Sequence, residues 1–154
     1  MKAPNYGCSA FGTVSDRNIL MGRNILMGRN YDFKCDTSAM LVYCTPKDGY
    51  KSVALAALDN ISANQPDISM AKKLACLTAP FICLDGMNEK GVSIAVLTLD
   101  SEPVNQSTGK QKIFTTLATR LVLDRAATTQ EAVDLLDSYD MLATSGRDYH
   151  FFVV

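Results

Sequence analysis

Apolar residues run along the chain in short blocks, and nearly every block is closed by a turn signal. Residues 9–14 are small and β-branched, Ser15-Asp16-Arg17-Asn18 is polar, and Ile19 begins another apolar run, which predicts a hairpin. Residues 38–45 and 52–58 predict a second hairpin, because Pro46-Lys47-Asp48-Gly49 between them is turn chemistry. Residues 59–67, with Asn60, Asn64 and Pro66, read as a loop. A short helix over 69–77 follows, capped by Ser69 and stopped by Pro80. Residues 81–84 lead into a turn over 85–91 and then into the most strand-like stretch of the chain, 92–99. Residues 101–111 form a polar loop. The period then changes: Ile113, Leu117, Leu121 and Val122 recur at helical spacing over 113–126. Thr128-Thr129-Gln130-Glu131 is a capping box for a second helix, with Ala132, Val133, Leu135, Leu136 and Tyr139 as its apolar stripe. Residues 149–154 return to a strand. Strands, a helix pair and a strand again predict an α+β protein with antiparallel sheet.

One segment breaks this economy. Arg17-Asn18-Ile19-Leu20-Met21-Gly22 is followed at once by Arg23-Asn24-Ile25-Leu26-Met27-Gly28, and Arg29-Asn30 opens a third copy. Six is even, so each copy would show a strand partner the same face. The extra copy nevertheless adds about 20 Å of extended chain. Either one copy is extruded as a loop or bulge, or the strand pairs in two registers. The last copy alone is followed by an acid three positions on, so Arg29, not Arg23, belongs to the Arg-Asn-x-Asp unit.

Composition narrows the function. The 154 residues are 47% apolar and 20% charged, the profile of one globular domain. Fifteen basic against sixteen acidic residues give a net charge of −1, so nothing recruits nucleic acid or an anionic membrane. No apolar run approaches a membrane span, and residues 1–7 lack a signal-peptide core, so the expectation is a cytoplasmic protein. Cys8, Cys35, Cys44, Cys76 and Cys83 are odd in number and irregularly spaced, and His150 is the single histidine. Neither a metal site nor a disulfide framework is expected, and no cofactor.

The chemistry concentrates at Cys8. Cleavage of the Gly7–Cys8 bond would give one residue both a thiol and a free α-amine, a nucleophile and a base whose ordinary pKa of about 7.7–8.0 suits general-base work. A guanidinium beside the sulfur would favour the thiolate, and a carboxylate accepting from the ammonium would orient it. Arg29 and Asp32 supply both if the hairpin returns them over Cys8. The alternative is a buried structural cysteine beside an ordinary strand-end ion pair. His150, beside aromatic residues in a strand, reads as structural, as do Asn88 and Glu89 in the Asn-Glu-Lys-Gly turn.

G-C-S-A-F at the start, M-G-R-N-Y-D-F after the hairpin, D-G-M-N-E-K-G-V-S-I-A-V and D-Y-H-F-F-V, in this order, resemble the choloylglycine hydrolase family. That family includes penicillin V acylases and bile salt hydrolases among the N-terminal-nucleophile linear amide hydrolases. The resemblance implies an αββα sandwich of antiparallel sheets, incomplete at this length: residues 1–7 as a leader to be removed and 8–154 as the N-terminal part of the domain. It implies autocatalytic exposure of the cysteine and hydrolysis of a linear C–N amide in a small acyl-amide substrate. Cys8 is carried over as nucleophile and base, Arg29 as the guanidinium at the sulfur, and Asp32 as the carboxylate at the α-amine. Thr98 falls where the family places an Asn or Tyr that helps hold the oxyanion. The family's later half supplies an oxyanion-hole asparagine and a second arginine. The competing expectation is therefore an inactive fragment or subunit that pairs with a second chain or with itself.

Overall fold

The computed structural model describes residues 7–15, 24–32, 38–63, 67, 69–99, 101–103, 105–143 and 148–154. Its centre is a five-stranded sheet built from β3 (Ala39–Cys44), β4 (Ser52–Ala57), β5 (Cys83–Asn88), β6 (Ser93–Thr98) and β9 (Tyr149–Val153), in the order β3-β4-β5-β6-β9. Every neighbouring pair is antiparallel. Strand alternation gives this sheet two different faces. Met40, Val42, Ala54, Ala56, Ile94, Phe151 and Val153 point to one, where they pack with Val122, Leu123 and Ala126. Those last residues belong to or adjoin α2 (Thr115–Arg125), which lies across the sheet beside α3 (Thr129–Asp137). The approach is close: a Cβ on Gly86 would stand 2.8 Å from Leu123 Cδ1 and 2.7 Å from the Val53 carbonyl oxygen.

The opposite face carries a two-stranded hairpin, β1 (Gly7–Ser15) and β2 (Asn24–Asp32). It docks at the β6–β9 side, where Gly12 leaves room for Phe152 and Val154; a Cβ there would stand 2.7 Å from Val154 Cγ1. The described chain is thus layered as helices, five-stranded sheet and hairpin.

Asn88 ties the helix layer to the sheet. Its Nδ2 donates to the carbonyls of Leu123 and Ala126, which the end of α2 leaves without helical partners, and its Oδ1 accepts from Lys90 N and Val92 N to shape the next turn. Glu89 completes that turn by accepting from Lys51 N.

Several local readings need correction. The turn placed at 85–91 is shorter, because β5 runs through Asp85 and Gly86 to Asn88; pairing with β4 and β6 overrides the Asp-Gly signal. The loop over 59–67 begins as a 3₁₀ turn, Leu58–Ile61. Helix α1 (Met70–Ala75) is capped by Ser69, as its sequence predicts, but continues as a 3₁₀ helix, Cys76–Phe81, that contains Pro80. The helix over 113–126 starts later, after the short strand β7 (Gln111–Phe114). The capping box forms, with Thr128 Oγ1 accepting from Glu131 N and Glu131 reaching Ala127 N. Tyr139, however, opens strand β8 (Tyr139–Leu142), which pairs parallel with β7. Asp140 in β8 accepts from Thr108 Oγ1, Thr108 N and Gly109 N, closing the preceding loop. The first copy of the hexapeptide repeat and Arg23 lie outside the described residues.

Candidate active site

The hairpin register decides which repeat copy meets Cys8. Gly7 lies opposite Asp32, Cys8 opposite Tyr31 and Ala10 opposite Arg29. Residues facing one another across an antiparallel pair share a face. Cys8, Ala10, Tyr31 and Arg29 therefore form one surface, turned toward the five-stranded sheet, while Ser9, Phe11, Asn30 and Asp32 are exposed on the other.

Arg29 is the centre of the inner surface. Its side chain is 6% exposed and spans the gap between the layers. Nη1 donates to Asp85 Oδ2 at 2.8 Å; Nη2 donates to the Val96 carbonyl at 2.8 Å and lies 3.7 Å from Cys8 Sγ. The guanidinium carbon stands 4.9 Å from the centre of the Tyr31 ring, a cation–π distance. The β5–β6 ladder ends at the pair Asp85–Ala95, and an adjacent irregularity in the β4–β5 pairing falls between Leu55 and Ala56. The Val96 carbonyl, one residue past that last pair, accepts from the arginine. Irregularities of this kind are common beside active sites because they re-aim groups out of the ladder.

The electrostatics follow from burial. Removal from water raises the Asp85 carboxyl above its ordinary value, and this outweighs the Arg29 charge and hydrogen bond that pull it down. Burial, with Asp59 next, pushes the Tyr31 phenol up to about 12, so it stays protonated at neutral pH. Burial also pushes the Cys83 thiol up to about 11, which makes this deeply packed cysteine a poor nucleophile.

The remaining residues singled out in the sequence are spread more widely. Asp32 sits beside the Gly7–Cys8 peptide through its backbone, but its side chain is on the outer face and accepts from Asn30 Nδ2 at 2.8 Å. Thr98 ends β6 opposite Tyr149, two residues beyond the carbonyl that Arg29 engages; among the described residues no hydrogen bond joins it to Cys8 or Arg29. His150 is exposed in β9 opposite Leu97. Asp85 and Tyr31 were missed. Asp85 was hidden by the Asp-Gly turn signature, and the available clue was an acid following the apolar run at 81–84. Tyr31 was legible only as the residue between Asn30 and Asp32 on the strand face shared with Arg29.

Among the described residues, no group of three or more His, Cys, Asp or Glu side chains could hold a metal ion, and no helix is long and apolar enough to cross a membrane.

A family model described as linear amide C–N hydrolases, choloylglycine hydrolase family, matches residues 18–152. No curated protein matches in sequence. Among solved structures, a mutant conjugated bile acid hydrolase from Clostridium perfringens superposes with a TM-score of 0.54 at 17% identity, covering 96% of this chain and 44% of that one. A second variant of that hydrolase gives 0.47 at 15% identity over 79% of this chain and 38% of its own, and penicillin V acylase from Agrobacterium tumefaciens gives 0.43 at 19% over 97% and 35%. The chain thus spans less than half the length of each, and the first superposition shows a shared fold.

Proposed function

The chain belongs to the choloylglycine hydrolase family, and from that premise we propose that it carries the nucleophile portion of a linear-amide hydrolase site, with Cys8 as nucleophile. The observation that supports this most is the Arg29 guanidinium, buried between the layers with Nη2 3.7 Å from Cys8 Sγ. Cleavage of the Gly7–Cys8 bond removes residues 1–7 and frees the α-amine, leaving 8–154 as the N-terminal part of the hydrolase domain. The amine takes the thiol proton, and the sulfur attacks the carbonyl carbon of an acyl amide. The amine returns the proton to the leaving nitrogen, and a thioester remains. Water, deprotonated by the same amine, attacks the thioester and releases the acid and the thiol.

Each neighbour has a role in this scheme. Arg29 stabilises negative charge on the sulfur, and Asp32, beside the scissile peptide, orients the freed amine. Thr98 supplies a hydroxyl donor to the oxyanion. Penicillin V, conjugated bile salts and other N-acyl amides share the bond that this chemistry cleaves.

Intact mass before and after native treatment with iodoacetamide tests the reading. Loss of residues 1–7 and one rapidly modified thiol at Cys8 are expected. An unprocessed terminus with Cys8 reacting no faster than Cys44 would overturn it.

A second reading is favoured by a separate observation. Leu41 and Tyr43 of β3 are 54% and 76% exposed on the sheet face that the hairpin leaves uncovered. Exposed apolar clusters mark association surfaces, so the alternative is a catalytically inactive subunit that pairs with a second chain or a second copy. A molecule that sediments as a monomer at all accessible concentrations counts against it.

A further inference from the structure

We infer that Asp85 is a positioning residue for the nucleophile: by clamping Arg29 Nη1, it sets the guanidinium between the Val96 carbonyl and the Cys8 sulfur. This deepens the reading of Cys8 as nucleophile and rests on it.

The geometry leaves the arginine little freedom. A guanidinium is a rigid planar fork, so fixing two of its nitrogens fixes the plane. Nη1 is fixed by Asp85 and Nη2 by Val96, both at 2.8 Å, and the Tyr31 ring stands beside the group. The 3.7 Å approach of Nη2 to Sγ is then a consequence of where the other contacts hold the fork. Among the described residues Nε has no hydrogen-bond partner, so the two Nη contacts carry the restraint.

Charge makes Asp85 the strongest of these restraints. An arginine side chain that is 6% exposed requires a counter-charge, and the Asp85 side chain facing it is itself only 16% exposed. Asp32, although close in sequence, points to the outer face and is held by Asn30. Asp85 is therefore the carboxylate at the guanidinium, while Asp32 is paired with Gly7 through its backbone alone. Asp85 also comes from the other layer. It ties the hairpin that carries the nucleophile to the central sheet, so the docking of the two layers sets the geometry at the sulfur.

A double-mutant cycle tests this. Iodoacetamide modification of Cys8 is timed in the full chain by peptide mass spectrometry and expressed as a ratio to Cys44 in the same molecule, for wild type, D85N, R29K and the double variant. The expected result is that D85N changes the Cys8 ratio about fivefold or more when Arg29 is present and less than about twofold when it is Lys, the behaviour of directly coupled groups. D85E should restore part of the wild-type ratio. Equal changes in both backgrounds, or no change in either, would overturn the inference. Because the cycle compares ratios between variants, it reads the coupling whether or not wild-type Cys8 outpaces Cys44 or loses residues 1–7. Those two observations decide the hydrolase reading separately. A thermal melt of each variant shows that the fold is retained, and a loss of structure would instead raise Cys83 modification along with Cys8.

Discussion

The two faces of the central sheet each hold a buried arginine–aspartate pair, and they use it differently. On the helix side, small residues let α2 lie close to an apolar core, Asn88 satisfies the carbonyls at the helix end, and the buried ion pair, Arg120 with Asp124, lies within α2 and reaches the sheet through the Ser52 hydroxyl. On the hairpin side, the key contact is an ion pair, Arg29 with Asp85, shared with a carbonyl and a thiol. Part of that face is left uncovered at Leu41 and Tyr43. The first face holds the fold together. The second places a guanidinium in a partly dry gap beside a thiol, where a low local dielectric magnifies its electrostatic effect.

The sharpest way to break the contrast is at Asn88. Replacing it with Ala leaves the Leu123 and Ala126 carbonyls and the Val92 N–H without their partner. Each buried polar group left unpaired costs about 1–3 kcal/mol, so a loss of about 3 kcal/mol or more is expected. Urea unfolding measures it. A change under about 1 kcal/mol would mean that water replaces the amide and that the helix layer does not depend on this tie.

A pH comparison sets Asp85 on the hairpin side against Asp140 of the separate β7–β8 pair, with a smaller effect. Asp140, buried under the loop at 108–109, is held below the ordinary carboxylate value of 3.8, first by the Thr108 hydroxyl and then by backbone N–H groups. Its folded state therefore binds its proton less readily than the unfolded chain does. The stability it contributes is present above that ordinary value and is lost as pH falls through the depressed folded value. Asp85 behaves in the opposite sense: its raised value means that the folded state binds the proton more readily, so its contribution declines as pH rises from 3.8 through the folded value. Thermal melts across the acid range should show D140N with a shallower loss of stability on acidification and D85N without Asp85's opposing slope. Identical profiles for both variants would contradict the assignment.

How much of this was legible in the sequence depends on the range of the interaction. The second hairpin, the Thr128 capping box and the Ser69 cap are local signals, and the structure realises them; the strands of the first hairpin pair as expected, while residues 16–18 of its expected turn and Ile19 lie outside the described residues. The same locality misled at Asp85-Gly86, where a good turn dipeptide lies inside a strand because β4 and β6 pair with it on both sides. Tyr139 failed likewise, since helical spacing carried it into α3 while parallel pairing with β7 claimed it for β8. At the candidate site, the approach of Arg29 to Cys8 could be read because both lie in one hairpin. Asp85 and the Val96 carbonyl could not, because they reach Arg29 from the other layer across 56 and 67 residues.

The uncovered part of the hairpin-side face offers the mildest test, and it separates folding from association. Met40, Val42 and Cys44 of β3 pack against the helix-side core, whereas Leu41 and Tyr43 between them face outward. Replacing Leu41 and Tyr43 with Ser removes little buried surface from the isolated chain, so each change should alter stability by no more than about 0.5 kcal/mol. If the face is an association surface, the pair should nevertheless shift the molecule toward monomer in sedimentation at concentrations where wild type self-associates. Unchanged sedimentation with unchanged stability would make these two side chains ordinary exposed apolar residues, of the kind every folded protein carries. Lost stability without a change in association would mean that they pack against the chain itself, and the division between a closed face and an open one would have to be redrawn at β3.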